Sequence, residues 1–163
     1  MSNYRFPLSK KPVWSYRDGG RKFGAPRDGG ARAHAGVDLI APPGTPIYAM
    51  APGRVLNVYP FYSGTWALEI LQDDGRVARY GEIDQLLPPG IHVGSPVVRG
   101  QQIARVGRLQ SGSAMLHLEM YAGTGAGPLT VRGPAGGKAQ RRGDLIDPTP
   151  LLDSAELDWI VRS

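Results

Sequence analysis

His34–Tyr48 reads HAGVDLIAPPGTPIY, and this stretch decides how the rest of the chain is interpreted. It holds an imidazole at His34 and a carboxylate at Asp38, with Gly36 between them and a turn rich in proline behind. Gly36 permits backbone angles that a larger residue resists, so both side chains can face one point. An imidazole nitrogen and a carboxylate oxygen are ligands that zinc accepts. Two interpretations are open at this stage: a metal site, or a loop closed by a hydrogen bond between the two side chains.

Composition restricts both the fold and the possible metal ligands. The chain has 163 residues with 23 Gly and 15 Pro, which favours one domain of short strands and turns. It has no cysteine, so disulfides and cysteine-based zinc sites are excluded. Any metal must therefore be held by His, Asp or Glu, and only three histidines exist, at positions His34, His92 and His117.

The charge and hydropathy patterns indicate the kinds of partner. A net charge of +5 suits polyanions, such as nucleic acid, an anionic membrane surface or an acidic wall polymer, but the basic residues are scattered and have no aromatic platform beside them. We therefore expect no nucleic-acid binding. No apolar run is long enough to span a membrane, so no membrane insertion is expected. The first residues lack the apolar core of a secretory signal. We also expect a monomer.

The order of the chain predicts a mostly antiparallel β domain between two flanking segments. Residues 1–33 are interpreted as an aromatic-rich arm that packs on the domain, and 34–152 as the domain itself. Residues 122–144 hold seven glycines and are expected to form a long loop, either a lid or a rim. In the 153–163 tail, Asp153 and Glu156 resemble a capping box, which predicts a short helix over Ser154–Val161. The predicted strands are Pro46–Met50, Arg54–Tyr59, Thr65–Leu71, Arg76–Ile83, His92–Val98, Gln101–Val106 and Ser113–Tyr121.

Two of these strands carry polar side chains at chemically useful positions. In SAMLHLEMY (113–121) the alternate residues Met115, His117 and Glu119 share one face, and the other face is entirely apolar. The polar face is therefore expected to point outward or into a cleft. In VARYGEI (77–83) Tyr80 and Glu82 share a face, and Glu82 is interpreted either as surface charge or as a general base.

Several segments resemble the lysostaphin/LytM-type zinc endopeptidases in the same order along the chain. HAGVDLIAPPGTPIYA is similar to the opening H-x3-D motif of the family, and GSPVVRGQQIARVG to its Gly-Gln segment. LHLEMY resembles the H-x-H strand, and DLIDPTPLL the closing motif. The resemblance runs from about residue 34 to residue 152. It implies a mostly β, single-domain antiparallel sheet of the duplicated-hybrid-motif type with a short C-terminal helix.

The resemblance also implies a metal site and an activity. The three zinc ligands of the family fall on His34, Asp38 and His117, and such a set leaves the fourth position open for water. The implied activity is zinc-dependent hydrolysis of amide bonds in peptidoglycan or its peptides. The implied location is the periplasm or the exterior of the cell, reached by an export route for which no signal peptide is visible.

The chain departs from the family pattern at two positions. A family histidine of the Tyr-x-His-Leu strand is replaced by Glu82, and the first histidine of H-x-H by Met115. Glu82 is expected to act as the general base, or else to bind zinc as a fourth ligand and close the site. Tyr80, Met115 and Glu119 are expected to contact the substrate, with the Tyr80 hydroxyl or Arg79 replacing the lost donor. The alternative function is a degenerate module that binds cell-wall fragments or regulates a partner hydrolase.

Overall fold

The structure is a computed structural model that describes residues 4–123, 127–132 and 139–157. Thirteen strands and one α-helix, α1, occur in this part of the chain. They are β1 Pro26–Arg27, β2 Arg32–Ala33, β3 Val37–Ile40, β4 Pro46–Tyr48, β5 Gly53–Pro60, β6 Trp66–Gln72, β7 Val77–Ile83, β8 Pro96–Val97, β9 Gln102–Arg105, β10 Met115–Tyr121, β11 Thr130–Arg132, β12 Ala139–Arg141, β13 Leu145–Ile146 and α1 Thr149–Ser154. No helix within the described residues is long and apolar enough to cross a membrane.

The main sheet is antiparallel and is built around β10. Its strands follow the order β13–β10–β7–β6–β5–β8, and β3 pairs with the first half of β10 on the edge that β13 occupies further along. The consecutive strands β5, β6 and β7 form hairpins because turns with Gly64 and Gly75 at positive φ join them. The separate pair β4–β9 lies outside this sheet. The predicted fold class, mostly antiparallel β with a short C-terminal helix, is confirmed.

The main core lies against one face of the sheet. Leu116, Leu118 and Met120 of β10 are fully buried there, beside Ala78 and Tyr80 of β7. The β4–β9 pair closes this core from the other side with Ile47 and Ala104. Four aromatic or aliphatic side chains of the N-terminal arm complete it: Tyr4, Phe6, Leu8 and Tyr16. Burial of these apolar groups stabilises both the sheet and the position of the arm.

The opposite face of the sheet, which was expected to point outward or into a cleft, is also largely covered. Val77 and Tyr121 are buried on this face with Leu129, and Leu145 packs against them. Part of the predicted 122–144 loop forms the antiparallel pair β11–β12, which begins one residue after Leu129. The remaining glycine-rich residues, 124–126 and 133–138, lie outside the described residues.

Two predicted elements have different bounds. The C-terminal helix is α1, which has Pro150 in its first turn and ends at Ser154. The sequence predicted that the helix would start at that residue. Asp153 is not an N-cap, since its carboxylate accepts a hydrogen bond of 2.7 Å from the Tyr16 hydroxyl. The rest of the expected helix, 158–161, lies outside the described residues. Of the predicted strand His92–Val98, only β8 is a strand, because a turn with Gly94 at φ 91° precedes it.

Candidate metal and catalytic site

His34, Asp38 and His117 come together where β3 pairs with β10. The strand register places Asp38 directly opposite His117, and His34 lies three residues before the start of β3. His117 Nδ1 lies 3.0 Å from Asp38 Oδ1, and His34 Nε2 lies 3.1 Å from the same oxygen and 3.2 Å from His117 Nδ1. All three residues are buried, and their ligand atoms lie within 4.8 Å of one another. The two segments that the sequence singled out separately therefore form one cluster.

Gly36 is required here for a different reason from the one expected. Its φ is not among the positive values of the chain. A Cβ at this position would instead lie 2.2 Å from the backbone carbonyl oxygen of Leu118. Only glycine allows the segment before β3 to approach β10 this closely, and that approach brings His34 toward His117.

The outer nitrogen of each histidine is held by a second group. His34 Nδ1 lies 2.9 Å from the Lys22 backbone carbonyl oxygen, and His117 Nε2 lies 2.7 Å from Glu119 Oε2. Both partners accept a hydrogen bond, so in the neutral imidazoles the inner nitrogens, beside Asp38, are left to donate their lone pairs to a metal ion. Zinc bonds of about 2.0 Å in tetrahedral geometry separate neighbouring ligand atoms by about 3.3 Å, close to the separations found here. The donor set and its supporting hydrogen bonds therefore fit a zinc ion.

The side chains of the cluster are buried, and their pKa values are shifted by one another. Burial raises the pKa of Asp38, but hydrogen bonds with His117 and His34 outweigh it and lower this pKa to about 2. Burial lowers the pKa of His117, but hydrogen bonds with Asp38 and Glu119 raise it overall to about 9. Asp38 and Glu119 thus place negative charge on both sides of the His117 ring, which favours a cation within the cluster.

Glu82 reaches the same site through a break in the regular geometry of β7. Leu68 pairs with Tyr80 but Trp66 pairs with Ile83, so β7 contains one extra residue at Gly81–Glu82. Glu82 has φ 61°, a left-handed conformation that non-glycine residues rarely adopt. The expectation that Glu82 shares the face of Tyr80 is therefore wrong, because the bulge interrupts the alternation of the strand.

The Glu82 carboxylate is buried and carries an oxygen, Oε2, without a hydrogen-bond partner. Burial is the largest effect on this group and raises its pKa to about 7, while the charges of His117 and Asp38 act on it in opposite directions. Among the described residues, the group whose ligand atoms converge within 4.8 Å is His34, Asp38 and His117, without Glu82. Glu82 is thus next to the cluster but is not a member of it.

The structure places the other expected site residues away from a substrate. Tyr80 is fully buried in the main core, where its hydroxyl accepts a hydrogen bond of 3.0 Å from the Met50 backbone amide. Glu119 is fully buried behind His117, since the opposite sheet face is covered. Both expectations of substrate contact are therefore corrected. Met115 is partly exposed, opposite Ile40 in the strand register, and stays a candidate for substrate contact.

Glu119 and Arg79 form the centre of a buried polar network. Arg79 Nη2 donates to Glu119 Oε1 at 2.7 Å, and Tyr121 and Arg141 donate to the same carboxylate. Arg79 also donates to Tyr59 and Thr130, so its guanidinium is directed away from the cleft that it was expected to serve. The network holds Glu119, and through it His117, in a fixed position.

Arg27 is a site residue that sequence reasoning missed. Its Nη2 lies 3.8 Å from Asp38 Oδ2 and donates a hydrogen bond of 2.7 Å to the Gly20 carbonyl oxygen. Its charge also lowers the pKa of Glu82. Arg27 lies on the β1–β2 hairpin of the arm, one of many arginines in that segment, and only the folded position of the hairpin distinguishes it.

A β domain that gathers two histidines and an aspartate in one buried cluster is a framework for metal-dependent hydrolysis. The sequence profile of Peptidase family M23 matches residues 32–128, a range that contains His34, Asp38, Glu82 and His117. The chain belongs to Peptidase family M23, and the resemblance seen in the sequence is confirmed. Membership places it among hydrolases of the peptidase kind.

Individual relatives agree with this assignment. The uncharacterized lipoprotein YgeR of Escherichia coli (strain K12) is 34% identical over 113 residues, which is 68% of this chain and 43% of that protein. The chain thus spans less than half of the length of this curated relative.

Solved structures share the fold. LytU has a TM-score of 0.62 at 26% identity, covering 88% of this chain and 92% of that one. A zinc-containing peptidase from Vibrio cholerae has a TM-score of 0.52 at 29% identity, covering 72% and 37%. The catalytic domain of the antimicrobial peptidase lysostaphin from Staphylococcus simulans has a TM-score of 0.59 at 22% identity, covering 82% and 90%, and shows the fold alone.

Proposed function

We propose that this protein is a zinc-dependent metallopeptidase that hydrolyses amide bonds in peptidoglycan peptides, in the periplasm or outside the cell. The single observation that carries the proposal is the convergence of His34, Asp38 and His117 within 4.8 Å of one another. The family supports a peptidase, and the name of a zinc-containing peptidase among the structural relatives supports zinc. The similarity of the chain to a lipoprotein supports a location outside the cytoplasm.

His34 Nε2, one Asp38 oxygen and His117 Nδ1 would hold the zinc ion. When bound there, zinc supplies a Lewis acid that polarises a substrate carbonyl and makes a water molecule more acidic. Lys22 and Glu119 orient the two imidazoles from behind, so the ligand atoms need no rearrangement before the metal enters. Phe61, whose ring centre lies 6.0 Å from that of His117, limits the access of solvent on this side.

Glu82 is the general base of the proposed reaction. Its unpartnered Oε2 is available to accept the proton of the attacking water. The same carboxyl group then donates this proton to the nitrogen of the leaving amine when the amide bond breaks. The bulge in β7 directs the carboxylate away from the core face that its neighbour Tyr80 occupies.

Arg27 would replace the donor that Met115 cannot supply. A guanidinium keeps its charge at every physiological pH and can donate to an oxygen that becomes negative during attack on the carbonyl. Arg27 Nη2 lies 3.8 Å from Asp38 Oδ2, an oxygen of a proposed zinc ligand. Among the described residues, this is the shortest distance from a side-chain nitrogen of an arginine or lysine to the Asp38 carboxylate.

The first test is zinc stoichiometry on protein purified without added metal, for the wild type and for His117→Ala. We expect about one zinc per chain in the wild type and none in the variant, because a catalytic site with two remaining ligands binds zinc weakly. Absence of zinc from the wild type after incubation with excess metal would contradict the proposal.

The second test is release of soluble peptides from purified peptidoglycan. Glu82→Gln and Arg27→Ala should each lower kcat by about 100-fold or more while leaving zinc stoichiometry unchanged, since neither residue belongs to the ligand set. Wild-type protein that binds zinc and peptidoglycan but releases nothing would instead identify the alternative, a degenerate module that binds cell-wall fragments or regulates a partner hydrolase.

A further inference from the structure

A cavity of about 690 Å³ lies between the N-terminal arm and the connection from β3 to β4. Its volume falls in the range of about 300–1,000 Å³ that is typical of sites for organic ligands. The walls are mainly apolar, with Leu8 and Trp14 from the arm facing Ile40 and Ala114 from the sheet. Lys10 and Lys11 add two positive charges, and no carboxylate occurs among the described residues that line the cavity.

The cavity begins next to the candidate metal cluster. Ile40 lines it and lies two residues after Asp38 on β3, on the same face of the strand. Ala114, on the other wall, immediately precedes β10, whose His117 pairs with Asp38. A strand rises about 3.3 Å per residue, so Ile40 lies about 7 Å from Asp38 along the chain. An extended peptide at the metal cluster covers that distance in about two residues.

The arm wall lies outside the segment that matches the family profile. The segment that matches the M23 profile begins at residue 32, so Leu8, Lys10, Lys11 and Trp14 all precede it. These residues are nevertheless held in place, because Leu8 is buried in the main core and the backbone carbonyl of Pro7 accepts a hydrogen bond of 2.8 Å from the Tyr48 amide. Trp14 is 62% exposed, which is unusual for the largest aromatic side chain. The Arg21 guanidinium lies 5.9 Å from its ring centre, and much of the ring is still accessible to a ligand.

We propose that this cavity binds the part of the substrate peptide about two residues from the cleaved bond, and that it selects an apolar side chain together with a neighbouring carboxylate. The proposal rests on the proposed function for the identity of the ligand as substrate. Charge complementarity selects an anionic peptide, since the two lysines are the only charged groups among the described lining residues. The apolar walls and the exposed Trp14 ring accommodate the side chain.

The test is binding of two synthetic peptides to the Glu82→Gln protein, in which hydrolysis cannot consume the probe. The first probe is N-acetyl-Ala-Glu-Leu-Ala with a free carboxyl end, and the second is its uncharged analogue with Gln and a C-terminal amide. Titration calorimetry and tryptophan fluorescence measure affinity. The acidic peptide should bind about tenfold more tightly than the neutral one at low salt, and the difference should shrink as salt is added.

The lysine double variant Lys10→Gln/Lys11→Gln should abolish that tenfold preference, and Trp14→Ala should weaken both peptides and remove the fluorescence change. The matched control is Arg54→Gln/Arg99→Gln, which removes the same charge from β5 and from the connection between β8 and β9. Equal affinity for both peptides, or an equal loss of preference in the control, would overturn the proposal, because net charge alone would then explain the binding.

Failure of this inference differs from failure of the proposed function. The wild type could prefer the acidic peptide through the lysines and yet fail to hydrolyse either peptide. That result would contradict the proposed peptidase function and support the proposed binding site. The wild type and the lysine double variant could both hydrolyse the two peptides with the same KM. That result would contradict the proposed role of the cavity and support the proposed peptidase function.

Discussion

Glu82 combines three features that are individually unfavourable for stability. Its backbone has φ 61°, its carboxylate is buried, and Oε2 has no hydrogen-bond partner. A left-handed conformation costs a non-glycine residue about 1–2 kcal/mol, and a buried unpaired polar group adds to that cost. Such unfavourable geometry is concentrated at functional sites, where other contacts of the fold maintain it.

Glu82→Gly should therefore yield a more stable protein than Glu82→Ala, by about 1 kcal/mol. In an ordinary strand the order is reversed, because glycine loses more conformational entropy on folding than alanine. Here alanine keeps the unfavourable φ and glycine does not. Urea unfolding of the two metal-free variants measures the difference, and Glu82→Gln serves as the reference of similar size. Greater stability of the alanine variant would show that Glu82 does not adopt the left-handed conformation in solution.

For individual residues, the sequence predicts membership of the site better than it predicts the direction of the side chain. His34, Asp38 and His117 were candidates as a set from the family resemblance, with residue type and spacing in support, and the folded chain brings them together. The orientation of Glu82 and the burial of Tyr80 could not be predicted from the period of the strand. The extra residue in β7 becomes evident only when β7 is paired with β6. The sequence correctly indicated that position 36 needs a glycine, but for the wrong reason. Glycine is needed there because the backbone passes close to Leu118, and not because it adopts a special backbone angle.

One face of strand β10 carries both a proposed zinc ligand, His117, and a member of a buried ion pair, Glu119. Glu119 Oε2 holds His117, and its other oxygen accepts from Arg79, whose side chain is 1% exposed. Burial raises the pKa of Glu119, but His117, Arg79 and Arg141 outweigh it and hold this pKa well below its usual range. The carboxylate is thus ionised, and each of its partners depends on that charge.

Glu119→Gln should destabilise the protein by about 3–5 kcal/mol, because Arg79 would lose its ion-pair partner while it stays buried. The same variant should bind zinc about 10–100-fold more weakly, since an amide holds the His117 ring less firmly than a carboxylate. Denaturant unfolding and competition with a zinc chelator measure the two effects. Asp73→Asn, at an exposed turn, is the matched control. Unchanged zinc affinity in Glu119→Gln would argue against a supporting role for the carboxylate.

Elements with a clear hydrophobic period were predictable, and elements stabilised by distant partners were not. The hairpin strands β6 and β7 agree with their predicted bounds to within one residue. The β11–β12 pair lies in a segment whose glycines and arginines indicated a loop. Its position is held by Leu129, an apolar side chain that no periodic pattern marks, and by the hydrogen bonds that join Thr130 and Arg141 to the buried Arg79–Glu119 pair.

The whole molecule is closed by contacts between its N-terminal arm and the end of the chain. Tyr16 donates to Asp153 at 2.7 Å, and Arg17 forms an ion pair with the same carboxylate. Burial raises the pKa of Asp153, but the hydrogen bonds from Tyr16 and Arg17 outweigh it and lower this pKa from its usual value. Contacts between residues 137 positions apart leave no local signal in a sequence, which explains why Asp153 was interpreted as a helix cap.

A carboxyl group with a lowered folded-state pKa stabilises the fold above its unfolded pKa, about 3.9, and this contribution is lost as the pH falls through the folded-state value. Asp153→Asn should therefore lower the free energy of unfolding at pH 7 by about 1 kcal/mol, a magnitude limited by solvent around the partly exposed group. The difference from the wild type should shrink as the pH falls below about 3.9 and is lost once the carboxyl group is protonated in the folded state. Urea titrations across this range measure it, with Asp18→Asn as the control. A difference independent of pH would contradict the assignment.

The hydrogen bonds at the ends of the described chain have a further consequence. Arg5 and Glu156 form a parallel bridge, in which the Phe6 amide donates to the Glu156 carbonyl and the Glu156 amide donates to that of Tyr4. Residues 4–6 and Glu156 therefore lie side by side, so a permutant of residues 4–157 can join them with a short linker and open new termini at the exposed Pro89–Gly90 turn. In that permutant the arm would follow α1 along the chain, and His117 would precede His34 and Asp38 in the order in which the metal cluster is assembled.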